Sequence, residues 1–443
     1  MSLGAWGIVK EAPSLIALIP MVLYIILAFN EKINQVITLL IVIIVGCIIT
    51  GNGVVEFGSA FAGALDSTLG QIGLIIALGT GVGSVMTKTG VSKTLCRWII
   101  NGVGVNTKAK AIIVTELCAV VICGLLGTLA GGCAIITPVL IPVVAAVGLT
   151  PNTMGCILQS AGETGLIWGP FSGPVITLMA LTGLTYGQQM LWAALPYGIV
   201  WLVVIFFCGL YVQKKTEGKY SYELTEEDTS QAEITPKERT TTIAFVVTFI
   251  ALVVFAVINQ LGMAYVIPVM FILVFVMLVF SGINLNAGIK EFFKGVGSAA
   301  QLWIIFILLE LMMNVIDAGG GFEALGNLFL ALAGSPTQTM TMIVGTIVGS
   351  FGVNGGAAAQ LTVTHNMFLP SIEACGLPME LWAVALICGS RATSSMYPGA
   401  NMISVMGTAR STDLKAMLIG GWAVSIVSIL MIIVWSFIGP MFF

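Results

Sequence analysis

Hydrophobic residues gather in ten blocks long enough to cross about 30 Å of hydrocarbon. They lie at roughly 13–29, 34–51, 71–88, 153–181, 188–212, 241–258, 264–281, 300–317, 380–408 and 415–440. Each predicts a transmembrane helix. Two further apolar blocks, about 111–147 and 338–374, do not fit that template, being too long for one crossing and too short for two with a loop. Each has a glycine cluster in its middle, Gly127-Thr-Leu-Ala-Gly-Gly132 in the first and Gly349-Ser-Phe-Gly-Val-Asn-Gly-Gly356 in the second. Irregular backbone at membrane depth survives only where protein covers it or a wet cavity touches it. Both blocks therefore predict re-entrant hairpins, the alternative being a span followed by an interfacial helix.

The polar positions test this count. With ten crossings and two hairpins, Lys32, Lys88 to Lys110, Lys214 to Arg239, Lys290, Lys294, Arg410 and Lys415 fall on one side, 15 of the 17 basic residues. Lys10 alone falls on the other, and Arg391 lies inside a span. Such a bias marks the basic side as the cytoplasm. A multi-pass protein of the inner (cytoplasmic) membrane with both termini outside is expected. Residues 213–240 carry 12 of the 37 charges and almost nothing apolar, which predicts a solvated cytoplasmic linker.

Composition narrows the class. Of 443 residues 58% are hydrophobic and 8% charged, against about 25% charged in soluble domains. A cytosolic enzyme, a nucleic-acid binder and a secreted disulfide scaffold are excluded. The nine cysteines form no Cys-x-x-Cys pair and read as small buried hydrophobes. The single histidine, His365, excludes a His-rich metal site, and no cleavable signal is evident before the first span. No cofactor is expected apart from Na⁺ as a coupling ion.

The two halves match at an offset of 227 to 230. Gly90 and Leu95 pair with Gly320 and Leu325; Pro142, Gly148 and Leu149 with Pro370, Gly376 and Leu377; Pro151, Gly162 and Met179 with Pro378, Gly389 and Met406. Residues 1–212 and 241–443 thus read as repeats of five spans and a hairpin, joined by the linker. Five is odd, so the second copy is inverted, an arrangement used by secondary transporters with a midplane site between the copies. The same alignment marks two broken spans, Ser160-Ala-Gly-Glu-Thr-Gly-Leu-Ile-Trp-Gly-Pro-Phe-Ser-Gly-Pro174 and Gly389-Ser-Arg-Ala-Thr-Ser-Ser-Met-Tyr-Pro-Gly-Ala-Asn401. Proline and glycine interrupt both. Freed carbonyls there suit Na⁺, and helix N-termini at the hairpin tips suit an anion.

These residues resemble the ion transporter superfamily, most nearly its gluconate permease and C-type sodium/proton antiporter branches and more distantly its divalent anion/sodium symporters. The resemblance rests on Gly73-Leu-Ile-Ile-Ala-Leu-Gly-Thr-Gly-Val-Gly-Ser84 with Lys88-Thr-Gly90, the two tips, and the Trp168-Gly-Pro-Phe-Ser-Gly-Pro174 and Tyr397-Pro-Gly399 breaks. It implies an all-α membrane fold with a dimerising scaffold, hence a homodimer, and a mobile elevator of hairpins and broken helices. The Ser-Asn-Thr tip of the divalent anion symporters is replaced by Gly127-Thr128 and Val353-Asn354-Gly355, and an aspartate-rich hairpin is missing.

Charge inside a span is costly and so marks function. Glu163 and Arg391 stand almost at equivalent positions of the two breaks. Arg391 can receive a substrate carboxylate bidentately while Glu163 couples a cation or proton; alternatively the two pair and hold the breaks together. The candidate substrate-binding residues are Thr128, Gly131, Gly132, Thr164, Ser172, Asn354, Gly355, Gly356, Arg391, Thr393, Ser394, Ser395 and Asn401. Ser160, Gly162, Glu163 and Gly389 are the candidates for coupling. Glu116, Glu310 and Asp317 are the other membrane carboxylates, Glu310, Asn314 and Asp317 sharing a helix face; His365 reads as structural before proton-coupling. The expected function is secondary transport of a small organic anion with Na⁺ or H⁺. A Na⁺/H⁺ antiporter is the second reading. An intramembrane enzyme using Ser172 of Gly169-Pro-Phe-Ser-Gly173 is a remote third.

Overall fold

A computed structural model describes residues 1–28, 33–224, 233–333, 336–351 and 357–443. The described residues are helical or irregular, without strands. The first half runs α1 (Ile19–Ala28), α2 (Gln35–Thr50), α3 (Val54–Ala64), α4 (Thr68–Lys88) and α5 (Val91–Val103). A hairpin of α6 (Lys108–Leu126) and α7 (Leu129–Ala146) follows, then the pair α8 (Pro151–Trp168) and α9 (Gly173–Thr182), the single turn α10 (Tyr186–Gln189) and α11 (Leu195–Thr216). The second half runs α12 (Pro236–Ile258), α13 (Val266–Ser281), α14 (Leu285–Ser298), α15 (Ala300–Ala318) and α16 (Gly321–Ala333). After it come α17 (Gln338–Phe351) and α18 (Ala357–Cys375), the pair α19 (Met379–Ala392) and α20 (Ala400–Ala409), and α21 (Leu414–Ile438).

Nine segments among the described residues are long and apolar enough to cross a membrane. Seven coincide with expected spans, and the other two are the arms α6 and α7. The first two expected spans are shorter apolar helices, Leu15–Leu27 and Gln35–Thr50, and 380–408 is the broken pair α19–α20. The first hairpin needs less chain than a loop requires, because Gly127 and Thr128 alone make its turn. Gly127 is left-handed at φ +66° and ends α6; Thr128 starts α7. Two arms of that length could cross, yet the tip stops against the middle of a longer span: a Cβ on Gly127 would lie 3.0 Å from the Phe171 carbonyl, inside the α8–α9 break. Four short helices between spans, α3, α5, α14 and α16, were not expected; they lie between the long apolar blocks of the sequence and are too short to read as spans.

Local chemistry sets the boundaries. Thr150 caps α8, accepting from the Thr153 amide, and Pro151 follows it at the first helical position. Thr235 and Glu238 form a capping box on α12 with Pro236 between them. On α12 the exposed Ile243, Val247, Ile250 and Val254 repeat at helical spacing, a stripe suited to lipid contact. Gly90 and Gly320 are both left-handed (φ +77° and +63°) ahead of α5 and α16. Gly148 and Gly376 (φ +73° and +60°) are left-handed after each hairpin's second arm. These two pairs, matched by the sequence offset, therefore share a backbone conformation that side chains resist.

Backbone contact between helices carries the site. α6 lies along α8, and Gly124, Gly165 and Gly169 make the approach possible. A Cβ on Gly165 would lie 2.5 Å from the Val120 carbonyl oxygen, and one on Gly169 would lie 2.1 Å from that of Gly124. The lysines of α4, α6, α11, α12, α14 and α21 define a basic end: Lys108 pairs with Glu217 there, and Lys237 lies against Gly282.

Candidate functional site

The two breaks are built from the bottom up by capping. In the first, Pro170 offers no N–H, Gly169 leaves helical geometry (ψ +124°), and α9 restarts at Gly173 with Pro174 in its first turn. The carbonyls this frees are taken by side chains. Ser172 Oγ donates to the Leu166 carbonyl, Tyr186 Oη donates to that of Trp168 at 2.6 Å, and Trp168 Nε1 donates to that of Ala194 at 2.7 Å. In the second break Ser394 Oγ donates to the Arg391 carbonyl at 2.9 Å, while Thr393 Oγ1 donates to Ser350 of α17 at 2.8 Å. Gln159 Nε2 of α8 donates to Ser395 Oγ at 3.3 Å, joining the breaks.

Between them Arg391 Nη1 donates to Glu163 Oε2. Both side chains are almost wholly buried, 4% and 3% exposed. The guanidinium uses one nitrogen in this bond. Its Nε and Nη2 are buried with no hydrogen-bond partner among the described residues. These two donors form the planar edge that accepts a carboxylate side-on.

Glu163 and Arg391 line a cavity of about 490 Å³ that also holds Gln360, Ser390, Thr393, Ser394, Tyr397 and Asn401. Its walls include Gln35, Leu302 and Ile305, from the basic-end halves of α2 and α15, together with Ile76 of α4. A second cavity of about 630 Å³ opens toward the opposite ends of the same helices, from Thr68 and Leu69 to Asn314 and Asp317. Glu310, Asp317, Glu323, Glu373 and His365 line it. Only a thin layer separates the two. On α15, Phe306 faces the first cavity and Glu310 the second, about one helical turn or 6 Å apart.

Of the residues singled out in the sequence, the structure brings Glu163, Arg391, Thr393, Ser394 and Asn401 to one cavity. Asn354, Gly355 and Gly356 lie outside the described residues. The remaining candidates sit elsewhere. Gly132 is where the hairpin arms meet, since a Cβ there would lie 2.5 Å from Cys123 Sγ; on Gly131 it would meet Thr128. Gly162 packs on Leu129, and Gly389 against Thr346 and Gly349 of α17. Thr164 is buried and donates to the Ser160 carbonyl, Ser395 is buried as the acceptor of Gln159, and Ser160 Oγ is buried without a partner among the described residues. Ser172 is fully buried, its hydroxyl spent on a backbone carbonyl. Gln360, Ser390 and Tyr397 were missed, and nothing in a single sequence separates them from neighbouring polar residues. Glu310, Asn314 and Asp317 do share a face, which lines the second cavity. The Nδ1 of His365 accepts from Trp382 Nε1 at 3.0 Å. An indole only donates, so this bond holds the imidazole with its proton on Nε2.

A family model for GntP family permeases matches residues 12–261, more than half of the chain. The chain belongs to the GntP permease family. Among curated proteins none matches. Solved structures share the fold, two transporters among them. MtrF of Neisseria gonorrhoeae, whose structure is described as illuminating a class of antimetabolite efflux pumps, aligns over 98% of this permease and 96% of its own chain, with a TM-score of 0.63 and 15% identity. The YdaH transporter of Alcanivorax borkumensis, described as having an unusual topology, aligns over 87% and 89% with a TM-score of 0.68 and 12% identity. The permease is therefore a multi-pass membrane transporter.

Proposed function

We propose that this permease is a secondary transporter of a small organic anion, with Arg391 receiving the substrate carboxylate. One observation carries the reading: a buried guanidinium, in a residue that lines a 490 Å³ cavity, whose Nε and Nη2 have no partner among the described residues. The charge balance follows. Empty, the Glu163–Arg391 pair is neutral. When a carboxylate becomes the counterion of Arg391, a proton on Glu163 keeps the loaded site neutral as well. Coupling to H⁺ is favoured because a proton on Glu163 suffices for neutrality, while the carbonyls of Leu166 and Trp168 each already have one lone pair engaged by Ser172 and Tyr186. The Na⁺ reading draws on Gln159 Oε1 and Ser160 Oγ, buried one turn before Glu163 without partners among the described residues. A Na⁺/H⁺ antiporter would leave the Arg391 edge unused.

The matched left-handed glycines and the common order of elements support two inverted repeats. The basic end is read as cytoplasmic, so the Arg391 cavity faces inward and the acidic one outward. The finer likeness, to the ion transporter superfamily and its elevators, supports a rigid α4–α15 frame against which hairpins and breaks move. The test is a thermal-shift screen of the purified protein against carboxylates, sugar acids and amino acids, at several pH values, with and without Na⁺. A carboxylate that raises the melting temperature, more so at low pH and without Na⁺, is the expected result. Proton-for-sodium exchange by the reconstituted protein with no response to any organic anion would overturn the reading.

A further inference from the structure

The span after the first break begins irregularly. α10 is one turn, closed by a capping box of Thr185 and Gln188. Met190–Ala194 then form a π turn, in which the Leu195 amide reaches back to the Met190 carbonyl. Pro196 supplies the cause, since it has no N–H and its ring crowds the carbonyl four residues earlier. The turn is tied to the first break by the Trp168 and Tyr186 bonds already described, and it packs against α19, which bears Arg391.

Gln189 stands at the junction of α10 and the π turn. It is fully buried, and neither its Oε1 nor its Nε2 has a hydrogen-bond partner among the described residues. It lines a recess with Ile167, Pro174, Leu178, Leu361, Ile387 and Ser390 that has no room for a water molecule. Pro174 and Ser390 also line the Arg391 cavity. A buried amide with neither protein nor water to bond disfavours the conformation that holds it. An apolar side chain of similar shape would fill the recess without that penalty. Single π turns inside helices are sites where a helix can change register, and they gather at functional positions.

We propose that Tyr186–Ala194 is a conformational switch of the transport cycle, and that Gln189 leaves its recess and gains partners in the alternative state. The unsatisfied amide keeps the conformation seen here from becoming a trap. The idea of a cycle rests on the proposed transport, but the test uses no substrate and stands apart from it. Gln189→Met and Gln189→Leu should each raise the melting temperature of the purified protein. Each should also shift the equilibrium toward this conformation by about fivefold or more, read as a rise in the maleimide labelling rate of Tyr397→Cys. Tyr397 is 51% exposed and lines the Arg391 cavity, so its labelling reports this conformation. An unchanged or lowered melting temperature in both variants would mean that the amide does not disfavour this state. A rise in melting temperature with unchanged labelling would mean that Gln189 biases no equilibrium. Either result overturns the proposal.

Discussion

Removing charge from the Glu163–Arg391 pair distinguishes a binding site from a structural clasp. Both side chains are at most 4% exposed, so Arg391→Gln leaves a buried, uncompensated carboxylate. Breaking such a pair by one partner costs about 3–5 kcal/mol. Glu163→Gln leaves the guanidinium, which already has two donors without partners among the described residues, and should cost a similar amount. The double change leaves no charge and should recover most of the stability; melting curves of the two singles and the double give the coupling. Binding separates from stability. A side-on carboxylate makes two charge-assisted hydrogen bonds of about 1.5–3 kcal/mol each, so loss of Arg391 should weaken substrate binding by about a hundredfold or more. Glu163→Gln should keep binding and lose proton-driven accumulation in proteoliposomes, because Arg391 remains and the titrating group does not. The double variant should be stable and unable to bind. Recovery of both stability and uptake in the double variant would refute the substrate-binding role and leave the pair as a clasp.

Three further outcomes are expected. Gly165→Ala places a Cβ 2.5 Å from the Val120 carbonyl and should destabilise by about 1–3 kcal/mol or more; Gly102→Ala, at an exposed position of α5 with nothing within 4 Å, should be neutral or slightly stabilising. Equal melting temperatures for these two would remove the argument for backbone contact between α6 and α8. His365 is the only histidine, so its ¹⁵N NMR spectrum is a single imidazole and should show the proton on Nε2, whereas a protonated Nδ1 would contradict the Trp382 bond. Cysteines placed in the 213–240 linker should react only from the cytoplasm and those at the C-terminus only from outside; labelling of both from one side would break the odd count of crossings.

The fold was legible where one residue type dominates a long stretch. Hydrocarbon thickness turns an apolar run into a helix, so most spans could be placed from pattern alone, and glycine with proline marked both breaks because few other residues permit them. The short helices α3, α5, α14 and α16 escaped because each mixes polar and apolar residues over 11 to 14 positions, which a search for spans discards. Glycine was legible as a mark of close approach but not of what approaches. Gly131 and Gly132 were read toward substrate and Gly162 and Gly389 toward the coupling ion, yet the partners they admit are Thr128, Cys123, Leu129 and α17. The same rule that permits a ligand near bare backbone permits another helix there, and only three-dimensional position separates the two.

Polar residues divide in the same way. A serine or threonine in a broken membrane helix has two outlets, the ligand and the carbonyls the break has freed. Ser172 takes the Leu166 carbonyl, Ser394 adds its hydroxyl to the backbone amides already on that of Arg391, and Thr393 reaches that of Ser350 on α17. Charge has no such local outlet: a guanidinium cannot be satisfied by one carboxylate oxygen, and a buried carboxylate cannot be left alone. That is why Glu163 and Arg391, 228 residues apart in the chain, were legible as a pair from near-equivalent positions in the two halves, while the hydroxyls around them were not. It is also why the unused Nε/Nη2 edge carries the functional argument. Every break carbonyl named above has found a side chain within the protein. The two donors of Arg391 have found none among the described residues, and a carboxylate has the shape and charge to meet both at once.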